Sequence, residues 1–253
     1  MKDNNSKLLG FNVAQAASQF RLMQHHELVS YIFRSNGVED YLDYFNAHNP
    51  SSDIPYHNKY HTYCMALNVY EASLYYNLSI EARRALLVAA LFHDYDHSGG
   101  RKTDDINVAI AANNLVDAHK QLVEIYRTQP VSDVGDHFAH LTPKELIDAI
   151  ETLLITKYPY DGPPVTMLQK IIRDADLMQV YEEDADRLRQ QFLGLKAEME
   201  LTRGPFTPEQ WGDGCRDFND ATVWHTQWAQ DKAVALDQKA CTEHLRNLLI
   251  GNK

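Results

Sequence analysis

Apolar side chains recur along this chain mainly at intervals of three and four residues, which is the period of an α-helix. Runs that alternate apolar and polar residues, as strands do, are scarce. The chain is therefore expected to fold as an all-α protein. The spacing predicts helices over residues 80–93, 105–127, 142–157, 165–200 and 220–249.

Helix-start and helix-stop residues divide this pattern into elements. Thr142, Pro143 and Glu145 form a capping box with proline at the first helical position. The prolines and glycine of 159–164 end that helix and begin the next one. Segment 202–208 is the best linker candidate, but the chain beyond it is too short for an independent domain. We expect one domain over residues 1–253, with terminal helices packed on a core at about 55–200.

Two histidines, His57 and His61, are four residues apart, so on a helix both imidazoles project from one face. Cys64 lies on the same face. The spacing suits metal ligation or acid–base chemistry. For an isolated pair, two partly exposed histidines on a tyrosine-rich surface helix would be the alternative.

Segment 85–92 is apolar nearly all round and runs directly into His-Asp-Tyr-Asp-His at 93–97. The apolar segment predicts a buried helix, and polar groups at its end are costly unless they are paired or bind metal. His93 and Asp94 could bind one cation together, and the carboxylate could bridge to a second. A hydrogen-bonded His–Asp pair that caps the helix is the alternative.

Other candidate residues are less decisive. Asp174 and Asp176 interrupt an amphipathic pattern, and spacing alone allows either one to face inward. Arg101 and Lys102 follow two glycines and are candidate phosphate contacts, with a solvated surface as the alternative. Thr156 is a candidate to line a pocket.

Composition narrows the classes of partner. The formal net charge of −11 argues against a nucleic-acid polymer as ligand, whereas bound cations would let an acidic protein handle phosphate. Three widely spaced cysteines without a Cys-x-x-Cys pair fit a reducing compartment. No stretch reaches the ~18 apolar residues of a membrane span. We expect a cytoplasmic protein with no membrane contact, and a homodimer is left open.

Taken together, four motifs resemble those of the HD-domain metal phosphohydrolases. They are His-Asn-x-x-His at 57–61, His-Asp-x-Asp-His at 93–97, Gly99, and Ala-Asp-Leu at 175–177. Within that superfamily they look most like the class I 3′,5′-cyclic nucleotide phosphodiesterase catalytic domain. The resemblance covers about residues 55–200 and implies a compact helical HD-domain, phosphodiesterase-like fold.

The resemblance also implies a role for each matching residue. The first metal (Zn, Fe or Mn) would be held by His61, His93, Asp94 and Asp176. Asp94 would bridge to a second metal, Mg or Mn. His57 would be the general acid and His97 would orient a water or ligand. The substrate contacts expected are Tyr56, Asn58, Arg101, Lys102 and Thr156.

The implied reaction is hydrolysis of a 3′,5′-cyclic nucleotide by a metal-bridging hydroxide, with His57 protonating the leaving oxygen. The chain departs from the family pattern at Cys64, where aspartate is usual, and at Ser98, where proline is usual. No glutamine near Phe218 clearly matches the one that clamps the purine. Three alternatives stay open: a nucleotide monophosphatase or triphosphohydrolase, a di-iron oxygenase on an HD fold, and a non-catalytic nucleotide-binding module.

Overall fold

A computed structural model describes residues 23–51, 53–128, 140–178 and 185–235. These residues form ten helices and no strand, which confirms the expected all-α class. In chain order the helices are α1 (23–35), α2 (Glu39–His48), α3 (Lys59–Tyr75), α4 (Ile80–Phe92), α5 (Asp104–Thr128), α6 (Pro143–Leu154), α7 (Met167–Leu177), α8 (Ala185–Arg203), α9 (Pro208–Ala221) and α10 (Gln227–Ala235).

The helices α4, α5 and α6 lie within three residues of their predicted bounds. The prediction over 165–200 corresponds to two helices, α7 and α8, and residues 179–184 lie outside the described part of the chain. The prediction over 220–249 is wrong at its start, because residues 222–226 are not helical. The backbone amide of His225 and the hydroxyl of Thr226 donate to the buried carboxylate of Asp174, which holds this segment away from helical geometry. Residues 236–249 lie outside the described residues.

Helix α4 runs through the centre of the main hydrophobic core. Its residues 85–92 are all buried, as the all-round apolar pattern predicts. It packs against α2, α3, α5, α6 and α7. Burying each of its Leu and Phe side chains contributes about 1.5–3 kcal/mol before the entropy cost of ordering them. The end of α4 is therefore fixed in the middle of the molecule.

The predicted capping box begins α6. The hydroxyl of Thr142 accepts from the amide of Glu145 (3.3 Å), and the Glu145 carboxylate accepts from the amide of Thr142 (2.6 Å). Glu145 is buried and also pairs with Arg84 Nε on α4 (2.8 Å). The box therefore starts the helix and joins it to α4.

A second, smaller hydrophobic core lies between α8 and α9, and Trp211 and Phe192 are its largest side chains. The linker candidate 202–208 contains the end of α8 and a short connection to Pro208. Trp228 lies in the main core, so two of the three tryptophans are buried packing residues. None of the described helices combines the length and apolar character that crossing a bilayer would require.

Candidate metal centre

Three helices bring the four predicted metal ligands together. His61 lies in the first turn of α3, which Asn58 caps by accepting from the amides of Tyr60 and His61. His93 and Asp94 follow the buried end of α4, and the last turn of α7 carries Asp176. The site therefore forms where the ends of three helices meet.

The ligand atoms of these side chains lie close to one another. Asp94 Oδ2 is 2.8 Å from His93 Nε2 and 3.0 Å from His61 Nε2. Asp176 Oδ1 is 3.5 Å from His61 Nε2 and 3.8 Å from His93 Nε2. Both imidazoles are buried, and the side chain of Asp176 is the most exposed of the four. The group is therefore closed on the side of the two imidazoles and accessible to solvent on the side of Asp176.

The chemistry of this donor set fits a divalent cation. His93 Nδ1 donates to the carbonyl of Ala90 (2.7 Å), so its Nε2 presents a lone pair to the site. The Nε2 atoms of His61 and His93 are 3.1 Å apart. Two imidazole nitrogens at this distance form a hydrogen bond only if one of them is protonated. Two imidazole nitrogens with carboxylate oxygens are typical ligands for Zn, Fe or Mn.

Electrostatics in the site point the same way. Burial opposes a charge on His61, but the carboxylates of Asp176 and Asp94 outweigh it and raise the pKa of His61 to about 10. Burial also opposes a charge on Asp94, yet the histidines around it hold the pKa of Asp94 well below its usual range. The two carboxylates therefore attract positive charge, and a bound cation would replace the protons that otherwise supply it.

Asp174 and Asp176, which spacing could not separate, occupy different places. Asp174 is fully buried and accepts from His225 N and Thr226 Oγ1 (2.6 Å), beside the start of α10. Asp176 is the one beside His61 and His93. Asp176 therefore stays the predicted ligand of the two, and Asp174 has a different set of partners.

A residue that the sequence did not single out, Glu198 on α8, holds His57. Glu198 Oε2 is 2.5 Å from His57 Nδ1, and Oε1 accepts from the amides of Tyr56 (2.6 Å) and His57 (3.1 Å). Burial acts against its charge, but these hydrogen bonds lower the pKa of Glu198, so it is a carboxylate. No local signal marks Glu198, because its partner is 141 residues away in sequence.

His97 lies against His57, with ring centroids 3.7 Å apart. Its Nδ1 accepts from the amide of Gly99 (3.2 Å), and its Nε2 is 2.9 Å from the side-chain nitrogen of Asn107. Burial, together with the charge of His57, lowers the pKa of His97 to about 4, so His97 is neutral. One ligand atom each of His57, Asp94 and His97 lies within 4.8 Å of the others, which makes a second group that could hold a cation.

The predicted substrate contacts are spread over different surroundings. Tyr56 lies at the centre, with its ring centroid 4.8 Å from those of His57 and His61. The Thr156 hydroxyl donates to the carbonyl of Leu153 at the end of α6, and the Asn58 side chain caps α3. The side chains of Arg101 and Lys102 are exposed on the loop before α5.

Among the comparisons with known proteins, only the comparison with solved structures found similar proteins. No protein-family model matches the chain, and no curated protein matches it. The phosphodiesterase domain of the RhoPDE fusion protein from the choanoflagellate Salpingoeca rosetta is similar in structure, with a TM-score of 0.60 and 17% identity. That match covers 92% of this chain and 89% of that one. LmjPDEB1 in complex with IBMX gives a TM-score of 0.47 and 16% identity, over 89% of this chain and 82% of that one.

The match to the choanoflagellate domain spans nearly all of both chains, so it concerns the whole arrangement of helices and not one motif. It confirms the fold that the four sequence motifs implied. This chain has the all-helical fold of that phosphodiesterase domain, and its residues His61, His93 and Asp94 form a group that could hold a metal ion.

Proposed function

We propose that this protein is a metal-dependent phosphohydrolase that opens the phosphodiester bond of 3′,5′-cyclic nucleotides. The observation that carries the proposal is the convergence of two buried imidazoles and two carboxylates beside a histidine held by its own carboxylate. A solved domain of the same fold is described as a phosphodiesterase domain, which supports this reaction class. The acidic net charge favours a small nucleotide over a nucleic-acid polymer.

The first cation would be held by His61, His93, Asp94 and Asp176, and Asp94 would be shared with a second. Bound divalent cations lower the pKa of a coordinated water and neutralise charge that develops on phosphoryl oxygens. The hydrogen bond from His93 Nδ1 to Ala90 keeps that imidazole in one orientation. The buried side of the centre excludes bulk water, which strengthens each of these charge interactions.

His57 would protonate the oxygen that leaves phosphorus. Glu198 accepts from Nδ1, so Nε2 is the atom that can carry the transferred proton. The Glu198 carboxylate fixes the ring through one short hydrogen bond and fixes the backbone at 56–57 through two more. A proton donor held in this way needs little reorganisation during the reaction.

His97 and Tyr56 would complete the surroundings of His57. His97 is neutral and its ring lies against that of His57 at an angle of 36°, so it limits the positions of that ring. Tyr56 packs edge-on against His57 on another side. We assign both residues to orienting the donor and its neighbouring water or ligand.

The test is hydrolysis of a substrate panel by protein loaded with Mn²⁺ or Mg²⁺. The panel contains 3′,5′-cyclic mononucleotides, nucleoside mono- and triphosphates, and bis(p-nitrophenyl) phosphate. We expect opening of cyclic nucleotides that EDTA and His57→Ala both abolish. Cleavage of mono- or triphosphates alone would replace the substrate class, and no hydrolysis by metal-loaded protein would refute the proposal.

A further inference from the structure

The segment 155–162, which joins α6 to α7, is fastened at both ends by one buried arginine. Arg173 Nε donates to the carbonyl of Ile155 (2.8 Å), and Nη1 donates to the carbonyl of Gly162 (2.5 Å). Arg173 is only 2% exposed and lies on α7, three residues before Asp176. The conformation of the segment is therefore tied to the helix that carries a metal ligand.

The same segment is also fastened to the opposite side of the centre. The amide of Tyr158 donates to the carboxylate of Asp104, the first residue of α5. The other oxygen of Asp104 is 3.9 Å from His97 Nε2. The segment thus spans from the α7 side of the centre to the His97 side, and hydrogen bonds hold it on both sides.

Between these attachments, the segment presents Tyr160. The Arg173 guanidinium lies over its ring, 3.9 Å from the centroid, and the Tyr158 ring packs edge-on at 5.4 Å. The ring is held on two sides, yet its hydroxyl makes no hydrogen bond with the residues that the structure describes. Burial and the nearby Asp176 carboxylate raise the pKa of the Tyr160 hydroxyl, so it stays protonated and can donate.

We propose that Tyr160 donates a hydrogen bond to a phosphate oxygen of the bound substrate, and that Arg173 is the positioning residue that holds Tyr160 there. This inference rests on the proposed phosphohydrolase function. The carboxylates of Asp94 and Asp176 can only accept hydrogen bonds, so an anionic phosphate needs donors from other elements. A protonated phenol that lies over a guanidinium, in partly buried surroundings, is well suited to donate a hydrogen bond to an anion.

The primary test is Tyr160→Phe in the metal-loaded full chain, because this change removes the hydroxyl and keeps the ring over Arg173. We expect kcat/KM for the hydrolysed phosphoester to fall about ten- to hundredfold, as for loss of one hydrogen bond to a charged group. Competitive inhibition by inorganic phosphate should weaken in parallel. Tyr158→Phe is the matched control, since the neighbouring Tyr158 is half exposed and loss of its hydroxyl should have no effect.

Arg173→Lys tests positioning, because lysine keeps the charge and loses the planar, two-pronged geometry. If Arg173 acts through Tyr160, the double variant should lose no more kcat/KM than the worse single variant. If the two losses of kcat/KM multiply in the double variant, the positioning role of Arg173 is wrong. If kcat/KM of Tyr160→Phe equals that of wild type, the whole inference is wrong.

Isothermal titration with inorganic phosphate separates this inference from the proposed function. If wild-type protein hydrolyses nothing but binds phosphate more tightly than Tyr160→Phe, the function fails and the contact stands. If both proteins bind phosphate equally, the contact fails whatever the enzyme does.

Discussion

Asp174 and Asp176 are separated by one residue and have opposite surroundings. Asp174 supports the start of α10 through His225 and Thr226, whereas Asp176 lies beside the imidazoles of the candidate metal centre. Alanine at position 176 should therefore weaken metal binding, whereas alanine at position 174 should lower the free energy of unfolding. This contrast allows one residue to serve as the control for the other.

We expect Asp176→Ala to weaken metal binding by at least about tenfold, because even partners outside the ligand set have effects of that size. Asp174→Ala should keep the metal and lose about 1–3 kcal/mol of unfolding free energy, since it leaves a buried hydroxyl and amide without their acceptor. Metal analysis and urea unfolding measure the two effects. Loss of metal in Asp174→Ala alone would reverse the assignment.

Glu198 is expected to act on His57 and not on the metals. Glu198→Gln keeps the size of the side chain and removes its charge, so kcat should fall about 10²-fold while metal content stays unchanged. Glu200→Gln, on the same helix, is the control because Glu200 pairs with Lys196 and the amide of Phe206. The Glu198 change should have no further effect on kcat once His57 is alanine; an additional loss there would contradict the pairing.

At the scale of elements, α8 reaches the centre only because two glycines allow close backbone contact. A Cβ at Gly194 would lie 2.4 Å from the carbonyl oxygen of Pro55, next to the segment that Glu198 holds. A Cβ at Gly100 would lie 2.4 Å from the carbonyl oxygen of Glu198, and Gly100 also has a positive φ of 82°. The approach of α8 therefore positions Glu198 against His57.

Gly194→Ala tests this close contact. Alanine favours a helix by about 1 kcal/mol over glycine, but overpacking against backbone costs about 1–3 kcal/mol. We expect a net loss of stability and a lower kcat, because α8 must move away from residues 55–57. Gly214→Ala in α9 is the control, because within the described part of the chain no atom outside its own stretch of helix lies within 4 Å of the added Cβ. It should gain up to about 1 kcal/mol of unfolding free energy. Equal gains of unfolding free energy in both variants, measured by urea unfolding, would rule out the close contact between Gly194 and Pro55.

At the scale of the whole molecule, the candidate metal centre brings together residues from separate helices. His61 is on α3, His93 and Asp94 follow α4, and Asp176 is on α7. A cation bound only by the folded protein stabilises it by RT ln(1 + [L]/Kd). Metal loading should therefore be visible in the global unfolding transition.

We expect EDTA to lower the melting temperature and Mn²⁺ to restore it. At a free metal concentration about 100 times Kd, the stabilisation is about 2.7 kcal/mol, which corresponds to several degrees for a chain of this size. Asp94→Ala should show no such response. An equal rise in the melting temperature of that variant would mean that the stabilising metal binds elsewhere.

Much of the fold and of the site could be read from patterns that are local in sequence. The all-round apolar segment 85–92 predicts the buried α4, and Thr142 with Glu145 predicts the start of α6, because both depend on neighbours within a few turns. The histidine and aspartate motifs and their order predict the metal group. The unbroken helix over 220–249 was wrong, because the buried carboxylate of Asp174 holds residues 225–226 through a contact about 50 positions away.

The sequence by itself therefore determined the helical class, the main helix starts and the likeness in fold to a phosphodiesterase domain, because periodicity, capping and motif spacing are short-range properties. Only the tertiary structure decided that Asp174 holds residues 225–226, that Glu198 holds His57, and that Arg173 and Asp104 fasten the segment bearing Tyr160. Each of these depends on how separate helices pack. Side-chain contacts between elements follow from packing that no local pattern encodes.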